Sequence, residues 1–396
     1  MTTHNTASWT AAFRSAVISP HESIDLFELR GFHAQTLRQI IRLDGGGTAL
    51  RIHLSNRYGK EPLHIGGARL ARRTEGSGIE SGTDTPLHVA GAEEFTVPAG
   101  QDILTDPVEG TVHTGDELAV TLWLPHDTGL STYSAIPLRT GYTVPGNALT
   151  APTLDGTEGL EELATRHFIS GADVLAPTGT PVTVAFGDSW FEGTGTTPDT
   201  DQRFPDLLNN RLRAAGHPGW IVNQGLSANR LLTDEIGEHA LARLQHDVLD
   251  VPGATHVLIH FGLNDLGIPG QEAYPEPAPI PSAADLIAGF TALADRLHAA
   301  GLTTIATTIG PYKDTLFEGY STPEGIAVAR EVNDWIRGTD SPFDAYADLA
   351  AAVADPADPD RIHDDYDSGD GLHVNDAGAK ALADAVDLTT LKTQPA

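Results

Sequence analysis

The sequence predicts an all-β domain followed by an α/β domain with a parallel sheet, and three observations lead to this prediction. Short runs of alternating polarity recur between turn signals up to about residue 175, without a competing helical period. Glycine and proline then cluster between Gly171 and Pro181. Beyond this cluster strand and helix patterns alternate, which is typical of a parallel sheet covered on both faces. We therefore assign residues 1–175 to a β-sandwich or jelly roll and residues 176–396 to a second domain.

Composition excludes several classes of partner and chemistry. The chain has 396 residues, of which 40% are hydrophobic, enough to build two cores. Its 54 acidic and 24 basic residues give a formal charge of −30, which would repel nucleic acid and anionic lipid. The chain has no cysteine, so disulfides, thiolate metal sites and cysteine nucleophiles are excluded.

No run approaches the ~20 apolar residues that a membrane span needs. The first nine residues have neither the basic region nor the apolar region of a signal peptide. We expect a protein without a membrane span that is cytoplasmic, or secreted if a signal peptide has been removed. The sequence does not predict the oligomeric state.

In the first domain, residues 37–43 and 48–54 alternate in polarity on either side of an Asp-Gly-Gly-Gly turn, which predicts a β-hairpin. The run Glu117–Leu124 predicts the strongest strand, and Pro125 ends it. Such a domain could be a scaffold for the second domain or a glycan-binding module, and composition does not separate these alternatives.

In the second domain, a buried strand containing Val182, Val184 and Phe186 is predicted to stop at Gly187-Asp188-Ser189. The later predicted elements are, in order, helix 203–215, strand 220–224, helix 240–249, strand 255–261, loop 268–281, a helix from Ser282 to Gly301, strand 303–309, helix 323–337, strand 343–349 and helix 375–386. Ser282 is predicted to cap its helix, with Asp285 in the first turn. Because ligands bind at the carboxyl edge of such sheets, Ser189 and Asn264 are expected at one edge.

A serine at that edge can act as a nucleophile only if a base and an orienting acid reach it. Asp370 stands three residues before His373, so one loop could present both groups. An acyl-transfer site also needs donors for an oxyanion. Gly225 and Asn264, which follow two further predicted strands, could supply them beside the amide of Ser189.

Taken in order, four stretches resemble the blocks of the SGNH hydrolase (GDSL esterase/lipase) family: Gly187-Asp188-Ser189, Gly225, Gly262-Leu-Asn264-Asp265 and Asp370-x-x-His373. The resemblance covers about residues 180 to 390. Residues 36–56 are similar to the β-domain that precedes the hydrolase domain in some bacterial members.

This resemblance implies a three-layer α/β/α, flavodoxin-like fold that hydrolyses esters without a metal or an organic cofactor. It implies that Ser189 is the nucleophile, that His373 is the general base and then acid, and that Asp370 orients His373. Gly225 and Asn264 would form the oxyanion hole with the amide of Ser189.

Two departures from the family pattern affect the predicted pocket. The chain has Ala228-Asn229-Arg230 where relatives often carry Gly-Asn-Arg, and His260-Phe261 where an acidic residue often precedes the third block. Trp190 and Phe191 add bulk directly after the nucleophile. We therefore predict Trp190, Phe191 and His260, with loop 268–281, as substrate-pocket residues. His260 has the alternative interpretation of a hydrogen-bonded core histidine, and Asp188 that of an acceptor for turn amides.

These residues predict a serine carboxylesterase that acts on short-chain or acetyl esters of small molecules or carbohydrates. A carbohydrate O-deacetylase or an acyltransferase with the same triad is the alternative, followed by a glycan-binding protein with an inert hydrolase domain. The acidic residues 355–370 lack the spacing of a calcium-binding EF-hand loop, so we expect a solvated loop there.

Overall fold

The computed structural model describes residues 6–22, 28–271 and 279–392. The chain divides into two compact units, Met1–Thr180 and Pro181–Ala396. The sequence placed the boundary slightly earlier, between residues 175 and 176.

The N-terminal unit is built from antiparallel strands, which confirms the predicted all-β fold. Its strands are β1 (Ala7–Arg14), β2 (Gln35–Arg42), β3 (Gly47–Asn56), β4 (Leu63–Ile65), β5 (Gly67–Arg72), β6 (Thr85–Leu87), β7 (Phe95–Val97), β8 (Gln101–Leu104), β9 (Val108–Val112), β10 (Glu117–Leu124), β11 (Tyr133–Ser134), β12 (Gly141–Pro145), β13 (Glu161–Leu163), β14 (Arg166–His167) and β15 (Ile169–Pro177). One sheet has the order β1-β15-β3-β8, with β9 also on β3, and the other has the order β13-β12-β2-β10-β5-β6. Two short pairs, β4-β7 and β11-β14, complete the unit.

The predicted hairpin of residues 37–54 is wrong, because β2 and β3 lie in different sheets. β2 pairs with β10 and β12, whereas β3 pairs with β15, β8 and β9, so both edges of each strand are already occupied. The amide of Leu43 donates to Asp116 O, and the next amide, of Asp44, donates to Ala12 O. The chain therefore crosses from one sheet to the other at the turn.

A buried carboxylate ties three strands of this unit together. Asp173 on β15 has no solvent exposure, and it accepts from Arg14 on β1 at 2.6 Å and from Arg51 on β3 at 2.9 Å. His53 Nε2 lies 2.9 Å from the same carboxylate. Burial alone would raise the pKa of Asp173, but His53 and Arg14 hold that pKa well below its usual range.

The C-terminal unit alternates strands and helices, which confirms the predicted α/β fold. Its strands are β16 (Val182–Gly187), β17 (Trp220–Gly225), β18 (Ala254–His260), β19 (Thr303–Thr307), β20 (Ala345–Ala347), β21 (Ala354–Asp355) and β22 (Asp358–Ile362). Its α-helices are α1 (Ser189–Glu192), α2 (Phe204–Ala214), α3 (Ala240–Leu244), α4 (Leu263–Gly267), α5 (Ala283–Ala299), α6 (Pro323–Arg337), α7 (Leu349–Val353) and α8 (Asp376–Ala385). A π-helical segment, Gln245–Leu249, continues α3, and 3₁₀ turns cover Ile268–Gly270 and Leu388–Leu391.

The strands β17-β16-β18-β19-β20 form a parallel sheet in that order. Helix α2 packs against α8, while α3 and α6 pack against α5, and every residue of β16 is buried. The register places Gly187 opposite Gly225 on one side and opposite His260 on the other. The segments that follow β16, β17 and β18 therefore meet at one edge of the sheet.

Helix α5 shows how local sequence sets these elements. Ser282 Oγ accepts from Asp285 N, and Asp285 Oδ2 accepts from Ser282 N at 2.9 Å, so the predicted cap is a reciprocal capping box. Its apolar face is buried at Leu286, Phe290, Leu293 and Leu297. Gly301, with φ of 77°, follows its end.

Asp173→Asn should destabilise the N-terminal unit by about 3–5 kcal/mol, because Arg14 would remain buried without its anionic partner. Urea unfolding monitored by fluorescence measures this loss. The matched control is Asp102→Asn, which removes a more exposed ion pair with Arg57 and should cost under about 1 kcal/mol. Equal losses in the two variants would contradict a special role for the buried carboxylate.

Candidate active site

Ser189 lies at the carboxyl edge of the sheet, because β16 ends at Gly187 and α1 begins at Ser189. Asp188 is the N-cap of α1, and its Oδ1 accepts from the amide of Trp190 at 3.1 Å. A Cβ on Gly187 would lie 2.8 Å from the ring of Phe191 and 2.9 Å from His260 O, so only glycine fits this tight turn. The turn leaves 4% of Ser189 exposed.

The predicted base and acid meet this serine. His373 Nε2 lies 3.0 Å from Ser189 Oγ, and His373 Nδ1 lies 2.6 Å from Asp370 Oδ2. Asp370 Oδ1 accepts from the amides of Leu372 and His373, both at 2.8 Å. The structure thus brings Ser189, His373 and Asp370 into one hydrogen-bonded chain.

The electrostatics of Asp370 set the orientation of the imidazole. Burial alone would raise the pKa of Asp370, but the hydrogen bond and charge of His373 and two backbone amides lower it to about 2. A carboxylate can only accept hydrogen bonds, so His373 Nδ1 must donate. The lone pair of Nε2 in the neutral imidazole therefore faces Ser189.

Asn264 is held in one orientation beside the serine turn. Its Nδ2 donates to Asn229 O at 3.0 Å and more weakly to Asp188 Oδ2 at 3.3 Å. Its Oδ1 accepts from the hydroxyl of Tyr320 at 2.8 Å, which fixes which end of the amide carries the donors. Tyr320 was not predicted from the sequence, because no motif links it to Asn264.

The amide of Gly225, predicted as an oxyanion donor, is engaged within the fold in this structure. It donates to Asn223 Oδ1 at 2.8 Å. A Cβ on Gly225 would lie 2.1 Å from the backbone nitrogen of Glu192, so the glycine permits the end of β17 to pack on α1. Its proton is already bound within the fold.

The loop after β17 presents a different amide. Ala228 has φ of 60°, which is unusual for a residue with a side chain. On its two sides, Ser227 N donates to Glu192 Oε2 at 2.6 Å and Asn229 O accepts from Asn264. No acceptor for the Ala228 amide is found among residues 6–22, 28–271 and 279–392.

We predicted pocket positions for Trp190, Phe191 and His260, but at most 1% of the surface of each residue is exposed to solvent. The imidazole of His260 stacks on both aromatic rings, with centroid distances of 5.1 and 5.3 Å. Trp190 Nε1 donates to Leu372 O at 3.0 Å, and Leu372 directly precedes the candidate base His373. The start of α1 turns Trp190 and Phe191 into the core, where they pack against His260 at the end of β18. Residues 272–278 of the predicted pocket loop lie outside the described residues.

Asp188 and His260 form a fully buried pair of ionisable groups next to the serine turn. His260 Nδ1 lies 2.7 Å from Thr307 Oγ1, whose hydroxyl donates to Ile259 O, so Nδ1 must carry the proton. Its Nε2 lies 3.7 Å from Asp188 Oδ1. Burial lowers the pKa of His260 to about 3 and raises the pKa of Asp188 to about 8. Both groups are therefore uncharged near neutral pH.

Arg243 joins the strand ends around the site, and sequence analysis missed it. The buried guanidinium donates to Gly187 O at 2.8 Å and to Gln224 O at 3.0 Å. It also donates to Asn229 Oδ1 and to Asp247 Oδ2, both at 2.8 Å. The one available signal was its position within the predicted helix 240–249.

The acidic stretch 355–370 is largely engaged in local contacts. Asp358 pairs with Lys313, Asp360 pairs with Arg330, and Asp367 Oδ1 accepts from the amides of Gly369 and Gly371. Within the described ranges, no three His, Cys, Asp or Glu residues are placed to hold a metal ion together. No helix in the same ranges has the length and apolar character for a membrane span.

The family model described as GDSL-like Lipase/Acylhydrolase matches residues 185–381. The chain is similar to a GDSL-like lipase from Bacteroides thetaiotaomicron, at 14% identity and a TM-score of 0.40, over 53% of this chain and 87% of that chain. It is similar to a carbohydrate acetylesterase family member from Sinorhizobium meliloti, at 16% and 0.40, over 54% and 99%. An aryl esterase from M. smegmatis aligns at 18% and 0.37, over 52% and 96%. The comparison with curated proteins gives no match.

The raised pKa of Asp188 predicts that the burial of this residue destabilises the folded protein more strongly as pH rises. Between about pH 4 and about pH 8 the unfolded chain has lost this proton while the folded protein keeps it, so stability falls as pH rises. Asp188→Asn cannot titrate there. Relative to wild type, its unfolding free energy should rise by at most about 1.4 kcal/mol per pH unit across this window. Urea unfolding at several pH values measures the difference, and a constant difference would contradict a neutral Asp188.

Proposed function

Because residues 185–381 belong to the GDSL-like lipase/acylhydrolase family, we propose that this protein is a serine carboxylesterase that hydrolyses short-chain or acetyl esters. The observation that carries the proposal is the hydrogen-bonded chain from Ser189 Oγ through His373 to Asp370. A hydroxyl becomes a nucleophile when a neutral imidazole can take its proton and a carboxylate stabilises the resulting imidazolium.

In the first half-reaction, Ser189 Oγ attacks the ester carbonyl carbon while its proton passes to His373 Nε2. The tetrahedral intermediate then collapses, the bond to the alcohol oxygen breaks, and His373 returns the proton to that oxygen. His373 keeps its Nδ1 proton throughout, in a hydrogen bond to the carboxylate of Asp370. Water next attacks the acyl-enzyme and gives a proton to His373, which returns it to Ser189 Oγ as the acid leaves.

For the oxyanion we propose the amide of Ser189 and the side-chain amide of Asn264 as donors. Asn264 would exchange its long contact with Asp188 Oδ2 for the oxyanion, as apo donors often tighten only in the reacting complex. Since the Gly225 amide donates to Asn223, we assign the third donor to the amide of Ala228. The uncharged state of Asp188 supports this arrangement, because a carboxylate beside the oxyanion would oppose its charge.

An acyltransferase or a carbohydrate O-deacetylase would use the same acyl-enzyme with another acceptor or another ester. Hydrolysis of nitrophenyl esters of increasing acyl length, of acetylated sugars, and of one ester with added alcohol acceptors therefore defines the reaction. We expect acetyl and other short-chain esters to be hydrolysed fastest, with the free acid as the main product.

Ser189→Ala should lower kcat for nitrophenyl acetate by about 10³-fold or more and abolish fluorophosphonate labelling, because the attacking oxygen is removed. The control is Ser282→Ala, which removes the cap of α5 and should cost about 1 kcal/mol of stability without loss of activity. Turnover by Ser189→Ala at the parent rate would refute the proposal.

Tyr320→Phe should lower kcat about tenfold with little change in KM, because the Asn264 amide loses the hydroxyl that fixes its orientation. The matched control is Tyr312→Phe. Tyr312 packs edge-on against Tyr320, is equally buried, and its hydroxyl finds no partner within the described ranges. Steady-state kinetics on one ester compare them, and equal rates for both variants would contradict the positioning role of Tyr320.

A further inference from the structure

The segment of residues 314–320, called here the flanking segment, follows β19 and is fixed against the predicted catalytic loop. Leu316 N donates to Asp370 O at 2.8 Å, and Thr315 Oγ1 donates to the same oxygen at 2.9 Å. A Cβ on Gly371 would lie 2.9 Å from Thr315 Cα, so the two backbones are in direct contact. Tyr320 binds Asn264 at the far end of the segment. The segment therefore spans from the base loop to the proposed oxyanion donor.

Two adjacent apolar side chains of the flanking segment face solvent. Leu316 is 76% exposed and Phe317 is 41% exposed. The other large hydrophobic residues with comparable exposure in the described chain, Leu104, Leu130 and Tyr346, are separate from one another in sequence. The ring of Phe317 lies edge-on to the imidazole of His373, with centroids 6.4 Å apart and an interplanar angle of 89°. An exposed apolar pair beside a reactive imidazole is a feature that function explains better than packing does.

The position of Leu316 and Phe317 indicates which part of an ester they would contact. On the proposed function, the leaving alcohol oxygen must come within hydrogen-bonding distance of His373 Nε2 to receive its proton. The group attached to that oxygen then lies beside the imidazole, where Phe317 flanks it. We propose that Leu316 and Phe317 form an apolar subsite for the alcohol portion of the ester, which favours an uncharged aromatic or branched apolar alcohol.

The charged groups around Leu316 and Phe317 favour an uncharged alcohol. Glu318 is exposed on the same segment, Asp370 lies under it, and the ammonium of Lys313 is bound by Asp358. An anionic alcohol would be repelled there. An apolar ring would instead remove Leu316 and Phe317 from water and could pack edge-to-face on Phe317.

The experiment changes the alcohol and the acyl group independently. Benzyl acetate and methyl acetate share an acyl group, while methyl acetate and methyl hexanoate share an alcohol. Phe317→Ala should lower kcat/KM for benzyl acetate about tenfold and change that for both methyl esters less than about threefold. Leu316→Ala should give a smaller loss in the same direction, and Phe317→Leu should retain part of the preference. Ratios of variant to wild type for each ester cancel the intrinsic reactivity of the alcohols.

Tyr346→Ala is the control, because it removes an exposed aromatic ring from the sheet-edge strand β20, and all three esters should be unaffected. Equal losses for the three esters in Phe317→Ala, or a loss that follows acyl length, would overturn the subsite while leaving the esterase proposal intact. If wild type hydrolyses none of the esters, the proposed function fails, and the subsite fails with it.

Discussion

A single buried guanidinium holds the candidate active site together. Arg243 donates to the carbonyls of Gly187 and Gln224, near the ends of two neighbouring strands, and to the side chain of Asn229. Its Cζ lies 4.3 Å from the ring centroid of Phe186, so the guanidinium is buried against an aromatic ring and its loss would leave polar groups without a partner in apolar surroundings. A planar group with five donors can serve several acceptors at fixed angles, which an ammonium cannot. The path continues from Asn229 O to Asn264 and Tyr320, and so reaches the proposed oxyanion donor.

Much of the fold was predictable because the signals that set it are local. Short runs rich in apolar residues predicted β16, β17 and β18, and the capping residues Ser282 and Gly301 predicted the bounds of α5. Short helices such as α1 and α4 escaped prediction, because four or five residues cannot display a helical period. The hairpin prediction was wrong for a different reason. Turn chemistry indicates that the chain leaves a strand at residues 44–47, but the choice between pairing and crossing to another sheet depends on strands distant in sequence.

The candidate site likewise contains residues that the sequence predicts and residues that it does not. Ser189, His373 and Asp370 stand in short motifs, and the structure brings them together. Arg243 and Tyr320 act through tertiary contacts that no motif encodes. Adjacency to the nucleophile suggested that Trp190 and Phe191 would line the pocket, but the direction of a side chain depends on the backbone turn at α1, and that turn points them inward.

The pairing of β1 with β15 affects how this protein can be made. Ala7 lies opposite Pro177 and Arg14 opposite Gly171, so the two partner strands are separated by almost the whole N-terminal unit. Pairing of distant segments slows folding, because the entropy of closing the loop is lost before the contacts form. On the ribosome, β1 must wait until residue 177 has emerged, and β16 of the next unit follows almost at once. The N-terminal unit therefore cannot complete this sheet until nearly all of its own residues have been synthesised, and the stage with unpaired strands is expected to be the aggregation-prone one.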